Sequence, residues 1–177
     1  MSKINVIRLT KRLDKSTFCT VRFAIKARAE KDKYVNPMMY VRVCGGSVYA
    51  TDGHRLHMTN SLNGYMVEDG VYEVVKENSQ ELILLGTGTT DFPDYQAVID
   101  STASKSKKVH LSGETDADIV KINRAMSCDE GVSYTFIEQI SGFCQVAMIP
   151  DGKGKPIHFI GEEHGHVEAY IMPFSMV

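Results

Sequence analysis

The chain has 177 residues, 43% of them apolar and 24% charged, enough for one substantial core or two small ones sharing an interface, and a soluble globular protein is expected. The longest apolar stretches, Leu82 to Leu85 and Ala169 to Phe174, fall far short of the roughly 20 residues that span a bilayer. Because the opening Ser2-Lys3-Ile4 leads into no secretory signal, the expected location is the cytoplasm, away from membranes. The net charge of -2 conceals a segregation: residues 1 to 33 carry ten Lys and Arg against three acidic residues, a net of +7, and the other 144 residues a net of -9. Such polarity suits a polyanion bound at one face, although a solvated lysine-rich helix has the same composition.

Ile4 to Thr10 alternates like a sheet strand. From about Lys11 to Ala29 there is no Gly or Pro, and Phe18, Val21 and Ile25 recur at helical spacing. At 100° per residue Lys11, Arg12, Lys15, Arg22 and Lys26 fall within an arc of roughly 100° beside that stripe, so the helix packs with one face and offers a basic one. Asn36-Pro37 ends the helical region. Met38 to Cys44 and Ser47 to Thr51 flank Gly45-Gly46 as a tight hairpin; Arg55 to Thr59, Gly70 to Lys76 and Glu81 to Leu85 follow as strands, before the loop of Gly86, Gly88, Thr89 and Thr90. The Ser- and Lys-rich stretch 101–108 reads as an exposed linker. Beyond it come a strand at Lys108 to Ser112, helices at about Thr115 to Met126 and Tyr134 to Ile140, and strands at Cys144 to Ile149, Ile157 to Gly161 and His166 to Met172, with a Gly-rich hairpin loop at Asp151 to Lys155. The second half thus echoes the first, strand, helix, strands, with no detectable sequence repeat.

Cys19, Cys44, Cys128 and Cys144 form no CxxC pair and are expected to be reduced and mostly buried. The pairs His54/His57 and His164/His166 lack further ligands at metal spacing, so no metal and no cofactor is expected. No nucleophile, base and orienter set stands out, and Asp52 with His54 makes a poor acid-base pair, so the chain reads as non-enzymatic.

Three segments carry a family resemblance. Ala50-Thr51-Asp52-Gly53-His54-Arg55-Leu56 closely resembles the ATDGHRL signature of the middle domain of bacterial DNA polymerase III beta subunits, the sliding clamps. Phe92-Pro93-Asp94-Tyr95, with Val98 three residues on, resembles the segment joining the middle and last clamp domains. Ala169-Tyr170-Ile171-Met172-Pro173-Phe174 looks like the closing strand of that family. All three occur in the family's order.

The resemblance implies an α+β DNA-clamp fold, built of strand-helix-strands units with antiparallel sheets outside and helices on the DNA-facing side. Residues 1–177 would form a single clamp-like domain, with unit 1–100 and unit 101–177 joined by the linker near 101–108. Between Val71 and Phe92 there is no room for a further helix and full strand set. Lys11, Arg12, Lys15, Arg22 and Lys26, with Lys121 and Arg124 on the second unit, would contact phosphates of double-stranded DNA without reading bases. Thr51, Gly53, His54, Arg55, Leu56, Pro93, Val98, Tyr170, Met172, Pro173 and Phe174 would meet as a cleft for peptide tails of a DNA polymerase, a clamp loader or other clamp-binding proteins. Ala97 and Ser175 stand where the family usually has basic residues. The expected function is a processivity factor, a homo-oligomer of about six one-domain copies closing around DNA through edge strands. The alternative is a clamp-fold adaptor or decoy that captures such peptides without encircling DNA.

Overall fold

The computed structural model describes residues 5–30, 36–102, 105–126 and 129–175. Strand β1 covers Val6–Thr10; Ile4, the expected first residue of that strand, lies outside the described residues. Helix α1 runs Lys15–Ile25, shorter than the expected 11 to 29. Its start is set by Asp14, whose carboxylate accepts from Thr17 N at 2.9 Å. Lys11 and Arg12 therefore sit in a turn before the helix, closed by Leu13 N and Asp14 N donating to Thr10 O. At the other end the backbone tightens, with Ala27 N bonded to Ala24 O and Arg28 N to Ile25 O.

Asn36 caps a single 3-10 turn at Pro37–Met39, and strands β2 (Val41–Cys44), β3 (Ser47–Thr51) and β4 (Arg55–Thr59) follow. The β2–β3 turn is built on Gly45 and Gly46 at φ 55° and 76°, the left-handed pair that a two-residue hairpin of this twist requires. A Cβ at Gly46 would also lie 2.2 Å from Asn63 Oδ1. Next come β5 (Gly70–Glu77), β6 (Glu81–Gly86) and a short helix α2 (Tyr95–Asp100), a stretch to which the sequence assigns no element. Strand β7 is Ser106–His110, so the expected linker continues directly into a strand that starts two residues before the expected one; residues 103–104 of that linker lie outside the description. Helices α3 (Thr115–Ala125) and α4 (Tyr134–Ile140) and strands β9 (Val146–Pro150), β10 (Ile157–Gly161) and β11 (Val167–Ile171) complete the second half. A minor ribbon pairs β8 (Glu130–Gly131) with β12 (Phe174–Ser175).

Ten strands form one antiparallel sheet in the order β1-β6-β5-β2-β3-β4-β11-β10-β9-β7. The order is mirrored about the β4–β11 pair: β3 answers β10, β2 answers β9, and β1 answers β7. The β5–β6 hairpin is an insertion in the first half. No helix falls between Val71 and Phe92, where the sequence left no room for one.

One sheet face carries α1, α3 and α4. The cross-strand row Ala50, His57, Ala169, Phe159, Ala147 and Val109 lies beneath them. Two apolar clusters form there, one around Phe18, Val21, Val43, Val48, Leu82 and Leu84, the other around Ile122, Ile137, Ile140, Ile149, Phe159 and Ile171. Phe23 of α1 belongs to the second, so α1 spans the junction. Of the described cysteines only Cys144 is buried, where desolvation pushes its thiol pKa up; Cys19 and Cys44 are half-buried, a departure from the mostly buried set expected, and Cys128 lies outside the described residues. Among the described residues no helix is long and apolar enough to cross a membrane.

Candidate functional site

The turn Asp52–His54 between β3 and β4 is held by its own side chains. The Asp52 carboxylate accepts from His54 N at 3.0 Å, Arg55 N at 3.1 Å and Arg55 Nε at 2.9 Å. Thr51 Oγ1 donates to Arg55 O at 2.7 Å and accepts from Gly53 N at 3.1 Å. Gly53 has φ +90°, and a Cβ there would come within 3.4 Å of Met38 Sδ, which explains glycine at the apex.

Arg55 points to the helix side, where its side chain is 8% exposed. It donates to Gln139 of α4 and, at 2.9 Å, to the Lys26 carbonyl at the end of α1, and its guanidinium lies 4.3 Å from the Phe136 ring centroid. Expected in a surface cleft, Arg55 instead ties the turn to two helices. Beside it, the His57 ring stacks on Phe23 at 4.6 Å and bonds the Phe23 carbonyl through Nδ1 at 3.1 Å. Burial outweighs that bond and depresses the imidazole pKa to about 3. His57 is therefore a neutral core residue.

The outer face carries the row Thr51, Leu56, Tyr170, His158, Met148 and Lys108 across β3, β4, β11, β10, β9 and β7. The two resembling segments are hence adjacent strands, with Leu56 opposite Tyr170 and with Met172 N donating to His54 O at 2.9 Å just beyond. Gly53, His54, Met172 and Phe174 stand exposed around this junction, and Pro173 is half-buried. Leu56 and Tyr170, both expected in the cleft, are only 1% and 3% exposed. Thr51 is buried as well. Over this face passes α2, begun by Asp94 capping Ala97 N; Tyr95 stacks on Tyr49 at 4.2 Å, and Pro93 and Val98 are half-buried.

Sequence reasoning missed a polar cluster on the same face. Glu168 accepts from His158 Nε2, His166 Nε2 and Tyr170 OH, each at 2.6 Å, and His166 Nδ1 meets Glu162 at 2.6 Å. The His158 and Tyr170 rings stack at 4.4 Å. Burial opposes ionisation of Glu168, yet the three donors outweigh it and bring its pKa down to about 2. Burial likewise opposes a charged His166, but its two carboxylate partners raise its pKa above the ordinary value. A raised histidine pKa stabilises the fold fully below about 6.5, the unfolded value, and that stabilisation is lost as pH rises through the folded pKa. His166→Gln should therefore narrow the stability gap between pH 6 and pH 9 in urea titrations; an unchanged gap would show that His166 is not held charged. Alternation could have placed His158, Glu168 and Tyr170 on one face, but only strand register brings them together.

On the helix side Lys15 and Lys26 are exposed and Arg22 half-buried, in line along α1 with Cys19. Arg22 is paired with Glu77 at 3.4 Å, and Lys121 of α3 with Asp118 at 3.2 Å. Arg12 and Arg124 are exposed and Lys11 half-buried. Among the described residues no group of His, Cys, Asp or Glu could hold a metal ion.

No protein-family model and no curated protein matches the sequence. Among solved structures, the DNA polymerase III beta subunit of Thermotoga maritima superposes with a TM-score of 0.56 at 14% identity over 98% of this chain and 66% of its own. The DNA polymerase sliding clamp of Pseudomonas aeruginosa gives 0.56 at 13% identity over 97% and 67%. The Helicobacter pylori beta clamp bound to a DNA ligase peptide gives 0.54 at 13% over 98% and 66%. This chain spans about two thirds of the length of these relatives. Together with the helix-lined sheet, these matches show that the chain has the α+β fold of the bacterial DNA sliding clamps, in a short and divergent form.

Proposed function

We propose that this chain is a non-enzymatic, cytoplasmic DNA-replication accessory of the sliding-clamp type, a single clamp-like domain of two units. The observation that carries this reading is the junction of β4 and β11, where the Asp52–His54 turn and the closing strand meet through the Met172–His54 bond. In this reading the exposed rim of Gly53, His54, Met172 and Phe174, with the half-buried Pro93 that precedes α2, receives apolar peptide tails of a polymerase or other clamp-binding proteins. Arg55, Leu56, Thr51 and Tyr170 shape that site from beneath.

The helix side faces double-stranded DNA. Lys15 and Lys26 make no ion pair among the described residues, so they are the first candidates for phosphate contacts, joined by Lys11, Arg12 and Arg124. Arg22 and Lys121 would have to leave their carboxylates to take part. Among the described residues the sheet has β1 and β7 at its two edges, through which copies can pair edge to edge into a closed homo-oligomer that a loader could open.

Double charge reversal Lys15→Glu/Lys26→Glu tests the DNA half. At about 50 mM salt it should weaken duplex binding at least tenfold in fluorescence anisotropy and flatten the salt dependence by roughly two units of slope. Griselimycin, the ligand of a P. aeruginosa clamp complex, should still bind. Retained griselimycin binding with a DNA-inert wild type would favour the adaptor or decoy, a reading to which the Arg22–Glu77 and Lys121–Asp118 pairs lend support.

A further inference from the structure

The sheet face turned away from α1, α3 and α4 ought to be wet, because no core element packs there. Yet Thr51, Leu56 and Tyr170 on it are 7%, 1% and 3% exposed. At one end of α2, Tyr95 stacks on Tyr49 of β3. Just past its other end, Thr102 shares a cleft of about 200 Å3 with Ser106, Met148, Pro150, Pro156 and His158, over β7, β9 and β10. The segment from Tyr95 to Thr102 therefore runs on this face from β3 to β10, and between those two strands lie β4 and β11, which carry Leu56 and Tyr170.

Its hold is slight. None of its helical residues is buried, and six residues are too few for a helix to persist alone. Its hydrogen bonds are internal, from Gln96 to Asp100, Ser101 to Val98 and Thr102 to Ile99. Tyr95 is held to the sheet by its stacking on Tyr49. Upstream, Gly88 at φ +74° has open space around it and can pivot.

We propose that α2 is a detachable cover, pinned by Tyr95, that closes the Thr51–Leu56–Tyr170 face in the free chain. Where that face is the peptide site, a consequence resting on the function proposed above, an apolar peptide docks by displacing α2, and the covered apolar row is what it gains. The cover sets a threshold: only a peptide with enough apolar surface to replace α2 would bind.

The test reads the cover without a peptide. Leu56→Cys is labelled with a maleimide across a urea series and followed by mass spectrometry of its proteolytic fragment, which separates it from the native thiols. A cover that opens locally gives a labelling rate independent of urea at low concentration, and adding Tyr95→Ala raises it at least tenfold with little change in the unfolding midpoint. Labelling that tracks global unfolding in both backgrounds overturns the proposal. Should Leu56→Cys fold poorly, Tyr95→Trp supplies the chain's one tryptophan. Acrylamide quenching enhanced at least twofold by a Tyr49→Ala change supports the pin, and unchanged quenching refutes it. Failure of griselimycin to bind would count against the peptide reading and leave the cover standing.

Discussion

Arg55→Ala is expected to destabilise the fold by roughly 3 kcal/mol or more, among the largest effects of any single change outside the apolar clusters. The guanidinium is almost fully enclosed, and its removal leaves the Asp52 carboxylate, the Gln139 amide oxygen and the Lys26 carbonyl each short of a donor, together with a void over Phe136. Arg55→Lys should recover little of the loss, because one ammonium cannot serve three partners in different directions or stack on the ring. Urea titration of both variants reads the effect; a cost below about 1 kcal/mol for alanine would show that turn, α1 and α4 do not depend on this residue.

The second large effect is an acid sensitivity located at His57. Because burial holds the folded pKa near 3 while the unfolded imidazole titrates near 6.5, the unfolded chain takes up a proton that the folded chain refuses. Stability from this group is fully present above pH 6.5 and declines toward pH 3 by about 1.4 kcal/mol per pH unit. The interval from pH 6.5 to 4.5 isolates it from Glu168, whose depressed pKa begins to matter only below about 4.5. His57→Phe keeps a ring against Phe23 and removes both the titration and the buried Nε2 that has no partner. Over that interval the variant should lose roughly 2 kcal/mol less than the wild type; equal losses would place the acid sensitivity elsewhere.

Arg55 lies in the motif Ala50 to Leu56 and His57 directly follows it, and that bears on what the sequence disclosed. Ala50 to Leu56 signalled a clamp, and the hairpin at Gly45-Gly46, the strands Arg55–Thr59 and Ile157–Gly161 and the helix Tyr134–Ile140 were legible from turn chemistry and periodicity. What alternation could not disclose was which side of the motif meets solvent. Arg55 and His57 face the helices and Leu56 faces outward, yet Leu56 is as dry as the core, on the face to which α2 is attached through Tyr95. That segment was itself missed: six helical residues after Phe92-Pro93 show too little periodicity to stand out, and Asp94 as a cap is visible only in retrospect. The same limit applied at β7, where Ser106, Lys107 and Lys108 have the composition of a linker and become a strand by pairing with Pro150, Ile149 and Met148. The start of α1 was misjudged because the run without Gly or Pro began at Lys11, whereas capping by Asp14 decided the boundary.

The central claim is that copies of this chain close around duplex DNA. Its most direct test is the solution mass at micromolar concentration, by light scattering behind size exclusion, with and without a duplex in low salt. The account predicts a closed assembly of several copies, near six, formed by joining β1 of one copy to β7 of the next. A strict monomer in both conditions would contradict encirclement and leave a clamp-fold adaptor acting through the β4–β11 junction.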